Sequence, residues 1–308
     1  MTRPRIAICV VTFDSAPLIK DLVDSIPLGA EGTDWTLVFA DNASADSTVA
    51  EIERHAPDAR VVETGANLGY SGGVNAAIHA AGDQDAYLIL NADVRLEAGC
   101  LVTLFDSLGP SVGIAVPRLI DSERQPIWSM RREPSLLRAW SDALFGAERA
   151  GRLGALGEVV TRPELYASSR RTDWAEGSTQ LISAECLSVC GAWDESFFLY
   201  SEETDYNLRA RDHGFPVLYV AGATAQHLKG ESSASPELWS LLVLNKARLY
   251  ARRHGAIASV LFWFALVIRE ASRTALGKRT SRAALRDLLR PQRWRAQRGP
   301  AWLAGVRS

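Results

Sequence analysis

The sequence predicts an α/β protein with a mostly parallel central sheet and helices on both faces, followed by an apolar helix and a basic C-terminal tail. Three observations predict it. Short apolar runs of strand length alternate with helix-period segments from residue 6 to residue 90. The connections between the runs are long enough to return across a sheet face, as parallel neighbours require. Asp14, Asp41, Asn67 and Asp93 each stand just beyond the last apolar residue of a successive run. In an open parallel sheet those carboxyl ends share one edge, where ligands bind.

The elements follow in order. Residues 6–13 (IAICVVTF) read as a buried strand, and Ser15 is placed to cap a helix with Pro17 in its first turn and Leu18, Leu22, Val23 and Ile26 on one face. A second strand at 36–40 leads through Asp41-Asn-Ala-Ser-Ala-Asp46 to a helix at 49–55. A third at 59–62 leads through a glycine-rich loop to a helix at 74–81, and a fourth at 86–90 stops at Asn91-Ala-Asp93. Residues 118–171 are irregular, a surface excursion or helical insertion that could contact an acceptor. Beyond it, Ser201-Glu-Glu-Thr-Asp205 opens a helix running through Arg211, and 216–220 reads as a further strand before His227. Cys186 and Cys190, four apart, fall on one helix face as small apolar side chains.

With 308 residues, 47% hydrophobic and 23% charged, the chain can bury a large core, which excludes disorder and disulfide-stapled scaffolds. Four cysteines without a Cys-x-x-Cys pair point to a reducing compartment. The N-terminus lacks the apolar stretch of a signal peptide, so a cytoplasmic location is expected. The formal net charge of −2 conceals a division: residues 269–308 carry a charge of +9 and residues 1–268 a charge of −11. Such asymmetry points to an anionic surface as partner.

Several clusters can carry chemistry. The three glycines of Asn67-Leu-Gly-Tyr-Ser-Gly-Gly-Val-Asn75 permit close backbone approach to a ligand, but the segment is neither a P-loop nor a dinucleotide fingerprint. Asn91-Ala-Asp93 supplies an amide and a carboxylate, oxygen ligands suited to a divalent cation shared with phosphate. Glu202, Glu203 and Asp205 are carboxylates at a helix start; close neighbours raise one another's pKa, which suits one of them to accept a proton from a substrate hydroxyl. His227, beside Lys229-Gly-Glu-Ser-Ser233, could serve as a ligand to a metal or phosphate.

Taken together, these residues resemble the family 2 glycosyltransferases of GT-A fold, over about residues 6–255. The resemblance rests on Val10-Val-Thr-Phe-Asp14, Asp41 to Asp46, Asn67 to Asn75, Asn91-Ala-Asp93, Trp174-Ala-Glu-Gly177, Phe198 to Asp205 and His227 to Ser232. Within the family the chain looks most like bacterial rhamnosyltransferases that extend lipid-linked cell-envelope glycans.

The resemblance implies a GT-A catalytic domain over 1–255, with a nucleotide-binding half to about residue 115 and an acceptor half from 116. It implies that Asp41 bonds the nucleobase, with Thr12, Phe13 and Asp14 along the base and ribose, and that Asn67, Gly72 and Asn75 border the nucleotide. Asn91, Ala92 and Asp93 would face the diphosphate. Asp93 and His227 would bind Mg2+ or Mn2+. Trp174, Glu176 and Gly177 would meet the acceptor. Glu203 stands at the position of the catalytic base, with Glu202 as the alternative, and attack opposite the leaving diphosphate would invert the anomeric centre. Asn91 replaces the first Asp of the family's metal motif, and Glu203 replaces an Asp.

Residues 256–268 (AIASVLFWFALVI) are apolar throughout, yet span only about 20 Å against a hydrocarbon core of roughly 30 Å. Flanked by Arg252, Arg253 and Arg269, with basic residues continuing through Arg298 and Trp294 and Trp302 interleaved, the segment predicts an interfacial helix at an anionic membrane surface. No base-reading motif accompanies the charge, so nucleic acid is not expected. The expected partners are a nucleotide-diphospho-sugar donor and a polyprenyl-linked or glycan acceptor, at the inner face of the cell membrane. Rival readings are a sugar-1-phosphate nucleotidyltransferase, whose Gly-rich basic loop is missing, and a non-catalytic nucleotide-binding membrane scaffold.

Overall fold

In the computed structural model, which describes residues 3–228, 235–295 and 299, the chain runs as follows. The first half consists of β1 (Arg5–Thr12), α1 (Ala16–Gly29), β2 (Asp34–Asp41), α2 (Thr48–His55), β3 (Arg60–Glu63), α3 (Gly69–Ala81), β4 (Ala86–Asn91), β5 (Val94–Leu96), α4 (Cys100–Phe105) and β6 (Ile114–Ile120). The middle holds β7 (Met130–Arg131), α5 (Leu136–Phe145), α6 (Ala147–Arg152), β8 (Arg170–Thr172), β9 (Trp174–Ala175), β10 (Thr179–Ser183), α7 (Ala184–Cys190), α8 (Glu202–Asp212) and β11 (Val217–His227). Four helices complete it: α9 (Pro236–Arg253), α10 (Ala256–Ala275), α11 (Arg279–Leu288) and α12 (Pro291–Arg295). Lys229 to Ser233 of the His227 segment, Arg298 and Trp302 lie outside the described residues.

The main sheet has strand order β3-β2-β1-β4-β10-β6-β11-β5, with β8 beside β11. Strands β3, β2, β1 and β4 pair in parallel, as do β6 and β11, whereas β10 lies antiparallel between β4 and β6. Alternate residues of β1 face opposite sides: Ile6, Ile8 and Val10 enter one core with Ile19, Leu22 and Ile26 of α1, and Ala7 and Cys9 enter the other with Val74 and Ala77 of α3. Cys186 and Cys190 join this second core on one face of α7. A third core unites α5 with α9, α10 and α11 through Ala139, Leu241, Leu244, Phe262, Leu266 and Ala284.

The structure corrects three local expectations. Ser15 precedes α1 without capping it, because its hydroxyl bonds the Phe13 main chain. The Ala16 N–H instead donates to Asp46 Oδ2 at 3.1 Å. The glycine-rich segment is not an open loop: α3 starts at Gly69, and a Cβ at Gly73 would lie 2.6 Å from Val11, so this glycine lets the helix pack onto β1. The last core strand does not stop at Val220 but passes a register shift and ends at His227, which places the imidazole opposite Val94 of β5.

The C-terminal apolar segment is one part of a 20-residue amphipathic helix. Its inner face packs in the third core. Its outer face exposes Ile257, Val260, Leu261, Phe264 and Ile268. Among the described residues no helix is long and apolar enough to cross a membrane. The flanking arginines, which entered the expectation of an interfacial helix, are in ion pairs with the rest of the fold: Arg252 with Asp194, Arg253 with Glu133 and Asp212, and Arg269 with Asp142 at 2.8 Å.

Candidate active site

Two concavities meet at the carboxyl edge of the sheet. The first, of about 280 Å³, lies over the ends of β1 and β4 and is lined by Thr12, Phe13, Asn42, Asn67, Tyr70 and Asn91-Ala-Asp93, with Phe198 and Leu199 opposite. The second, of about 410 Å³, is walled by Arg131, Arg138, Trp174, Glu176, Glu203 and Lys246, together with residues of α5, α6, α9 and α10. Tyr70 connects them: its hydroxyl donates to Asn91 Oδ1 at 2.7 Å and lies 3.3 Å from the Gly177 carbonyl. Gly177 in turn abuts Glu203, since a Cβ there would be 3.0 Å from the Glu203 Cβ.

The strand ends explain the first concavity. Residues leaving β1 and β4 reach the sheet edge side by side because these strands pair in register from Ile6–Ala86 to Val11–Asn91. Thr12, Phe13, Asn67, Asn91, Ala92 and Asp93, all anticipated from the sequence, line it.

The other anticipated donor residues have structural duties. Asp41 is buried, accepting from Thr12 Oγ1 at 2.9 Å, Ser44 Oγ at 2.6 Å and the Ser44 N–H at 2.9 Å. Asp14 accepts from the Ala45 N–H at 2.7 Å, so these two aspartates tie the β1–α1 and β2–α2 loops together. Gly72 is packed within α3, and Asn75 binds the 193–195 loop, donating to the Trp193 carbonyl and Glu195 and accepting from the Trp193 N–H. None of these four lines the crevice.

Asn42 and Tyr70 were missed, although both sit inside motifs singled out above. Asn42 donates to the Gly69 carbonyl at 2.9 Å and so fixes the start of α3. A side chain on Gly69 could not form there: φ is +77° and a Cβ would lie 2.3 Å from the Phe198 carbonyl oxygen.

Asp93, His227 and Glu176 form a charged row. His227 Nε2 is 3.1 Å from Asp93 Oδ2, and Nδ1 is 3.0 Å from Glu176 Oε1. Burial opposes the charge on the ring, but the flanking carboxylates of Asp93 and Glu176 prevail and raise its pKa to about 10. Burial likewise opposes charge on Glu176, and the His227 contact outweighs it, lowering that pKa.

The three carboxylates at the start of α8 diverge. Glu202 turns inward, where burial and then the neighbouring Glu203 push its pKa far up, and among the described residues its Oε2 has no hydrogen-bond partner. Glu203 lines the larger cavity, with its pKa raised by burial to about 7. Asp205 faces away, in an ion pair with Arg209 one turn on. The backbone entering α8 is unusual: Phe198, Tyr200 and Ser201 all have positive φ, from 62° to 73°, a costly conformation for such residues that tends to mark functional sites. It is held by Asn245 of α9, whose Nδ2 lies 2.8 Å from the Phe197 and Leu199 carbonyls and 3.1 Å from that of Tyr200. Sequence reasoning missed Asn245. Its signal was a lone amide four residues after Leu241 in an otherwise apolar helix face.

A carboxyl raised to about 7 by burial, beside a polar crevice at the carboxyl edge of a parallel sheet, is an arrangement suited to group transfer. The chain belongs to the family described as "Glycosyltransferase like family 2", whose model matches residues 4–251; it is a family 2 glycosyltransferase. It is 27% identical over 302 residues to an N-acetylglucosaminyl-diphospho-decaprenol L-rhamnosyltransferase of Mycobacterium tuberculosis, covering 94% of this chain and 95% of the relative. It is 29% identical over 211 residues to the low-salt glycan biosynthesis hexosyltransferase Agl10 of Haloferax volcanii, covering 67% of this chain and 61% of the relative. In fold it resembles the mannosyltransferase PcManGT of Pyrobaculum calidifontis, solved with GDP-Man and Mn2+. The TM-score is 0.57 at 17% identity, over 93% of this chain and 79% of that one. The expected GT-A architecture is thereby established.

Proposed function

We propose that the protein is an inverting glycosyltransferase that moves a sugar, with rhamnose from dTDP-rhamnose as the first candidate, to a prenyl-diphosphate-linked glycan at the inner membrane face. The observation that carries the catalytic reading is Glu203, a half-buried carboxyl whose pKa is raised to about 7, in the wall of a sugar-sized cavity next to the crevice. Burial and the adjacent Glu203 push the pKa of its neighbour Glu202 far above the ordinary carboxyl range, and Glu202 does not line the cavity, which favours Glu203 as the base.

In this reading the nucleotide occupies the crevice of Thr12, Phe13, Asn67 and Asn91 to Asp93, and the acceptor occupies the cavity with Trp174, Glu176 and Gly177 at its inner end. Glu203 takes the proton of the acceptor hydroxyl while the oxygen attacks the anomeric carbon. The bond from that carbon to the diphosphate oxygen breaks on the opposite face, and the electron pair leaves with the nucleoside diphosphate. The tyrosine hydroxyl of Tyr70 stays protonated, because burial and the surrounding carboxylates raise its pKa, so it keeps Asn91 oriented.

Among the described residues no group of three or more His, Cys, Asp and Glu side chains is arranged to hold a metal. Asp93 and His227 nevertheless fit a divalent cation. Asp93 offers an oxygen and His227, once the proton on Nε2 is displaced, a nitrogen at a common point, and Mg2+ or Mn2+ beside a diphosphate takes few protein ligands and completes its sphere with phosphate oxygens. Such a cation would neutralise charge on the leaving diphosphate.

The membrane reading is supported by the outer face of the C-terminal helices. Residues 256–295 contain nine basic and two acidic side chains, and both acids, Glu270 and Asp287, are buried. The exposed face is therefore apolar along α10 and basic at Lys278, Arg279, Arg282 and Arg290.

The test is a panel of nucleotide-diphospho-sugars with a short-chain prenyl-diphosphate-linked N-acetylglucosamine, following release of nucleoside diphosphate and the anomeric configuration of the product. Acceptor-dependent release with inversion is expected, greatest with the rhamnosyl donor and reduced by Asp93→Ala. Absence of release with every donor, or retention of configuration, overturns the reading.

A further inference from the structure

We infer that Arg131 and Arg138 form the subsite that binds the diphosphate of the acceptor lipid, which rests on the acceptor class proposed above. The larger cavity is lined by four cations and four carboxylates, and most of them are already matched. Lys246 pairs with Glu158 at 2.6 Å and Arg269 with Asp142 at 2.8 Å. Glu176 contacts His227, and Glu203 faces the cavity as the base. That leaves Arg131 and Arg138, neither of which has a carboxylate within ion-pair distance among the described side chains.

Both guanidinium groups are nevertheless held in place. Arg131 donates to the main-chain carbonyls of Trp128 and Met130 and lies 5.8 Å from the centre of the Trp174 ring. Arg138 donates through Nε to the Ala155 carbonyl at 3.2 Å and through Nη1 to the Glu133 carbonyl at 2.6 Å. Neutral carbonyls orient these forks without cancelling their charge. Each keeps donor capacity for a ligand, and two oriented guanidiniums with no carboxylate bonded to them among the described side chains suit a compact dianion with paired oxygens.

The location matches the substrate. In a sugar linked through its anomeric diphosphate, the accepting hydroxyl and the first phosphate belong to one ring, so base and anion subsite must share one cavity. Arg131, Trp174 and Glu203 do so. The donor's diphosphate has its own place over Asn91 to Asp93, in a crevice whose lining contains no arginine. The helices that wall the cavity, α5 and α10, also carry exposed Leu144, Phe145, Leu261 and Phe264, an apolar exterior for a prenyl chain.

The experiment measures binding of geranyl diphosphate by calorimetry to the full-length protein, with and without saturating nucleoside diphosphate, using geraniol as the control. Wild type is expected to bind geranyl diphosphate but not geraniol, with nucleoside diphosphate leaving the affinity unchanged. Arg138→Met and Arg131→Met should each weaken binding about tenfold, the size of a charge-assisted hydrogen bond. Unchanged thermal melting and dTDP affinity would verify that the variants remain folded. Equal affinity in wild type and the double variant, or displacement of geranyl diphosphate by nucleoside diphosphate, overturns the inference. Because binding is read without turnover, Arg-dependent binding in a protein that transfers no sugar would sink the proposed reaction and leave this subsite standing. Transfer with Arg-independent binding would do the reverse.

Discussion

The crevice and the cavity are built in different ways. The crevice is made of consecutive strand ends, and its residues converge because parallel strands end on one edge. The cavity is assembled from the 130–160 segment, the start of α8 and the helices α9 and α10, which are distant in sequence. What lies between them, Glu203, belongs by sequence to the middle of the chain and by support to its C-terminal helices. The difference teaches that the proposed base, Glu203, is positioned by elements other than the strand ends that form the crevice.

The largest expected effect tests which side of the boundary carries the chemistry. Glu203→Gln should lower kcat by about 10²- to 10⁴-fold, as loss of a general base does, with little change in donor KM. Glu202→Gln, at an inward-facing carboxyl whose charged form burial and Glu203 disfavour, should stay within a few-fold of wild type. In wild type kcat/KM should rise with pH through about 7 and level off above it, because the base acts only when deprotonated. The stability of the fold should show the opposite trend. A carboxyl whose pKa is higher folded than unfolded stabilises the fold most below its unfolded pKa, and this contribution is lost as pH rises through about 7. Glu203→Gln should therefore melt at a higher temperature than wild type at pH 8 and at a similar one at pH 4. Equal kcat losses in the two glutamine variants would remove the assignment of Glu203.

The next effect tests the support. Asn245→Leu removes the amide donor from the carbonyls of Phe197, Leu199 and Tyr200 and frees a backbone that is costly to hold. A stability loss of about 1–3 kcal/mol is expected from the unsatisfied buried groups. A fall in kcat larger than the change in donor affinity should accompany it, since the freed backbone runs directly into Glu203, whereas it supplies only Phe198 and Leu199 to the crevice. If donor affinity and kcat fell equally, the two concavities would be one mechanical unit and the contrast between them would not hold.

These two regions were also unequally legible in the sequence. The crevice was readable from Thr12, Phe13, Asn67 and Asn91 to Asp93 because strand periodicity fixes where a chain leaves the sheet. The same rule failed for Asp14 and Asp41: it places a carboxylate at the edge but cannot say whether a neighbouring loop will take its oxygens, as Ser44 and the Ala45 N–H do. Glycines in the 67–75 segment looked like a ligand loop, whereas at Gly69 and Gly73 the absent Cβ admits Phe198 and Val11. The cavity was hardly visible, because Arg131, Arg138 and Asn245 gain their meaning only from contacts across long stretches of chain. The choice between Glu202 and Glu203 needed burial, which sequence adjacency cannot supply. The basic tail was misread in part for the same reason: Arg252, Arg253 and Arg269 look free in sequence and are paired in space.

The smallest expected effect concerns the outer face of those C-terminal helices. With the flanking arginines paired, the proposed membrane attraction would come from the apolar stripe of α10 and from the exposed cations Lys278, Arg279, Arg282 and Arg290. Leu261→Ser with Phe264→Ser replaces two outward side chains and leaves Phe262 and Leu266 in the core, so folding should be retained. Each removed side chain forfeits about 1 kcal/mol of interfacial burial, so binding to anionic vesicles should weaken by roughly thirtyfold, while transfer to a water-soluble acceptor stays unchanged. Charge reversal at the paired Arg253 should by comparison disturb melting before it disturbs vesicle binding. Unaltered vesicle binding in the serine variant would mean that α10 does not face lipid, and the cavity would then have to receive its acceptor from solution.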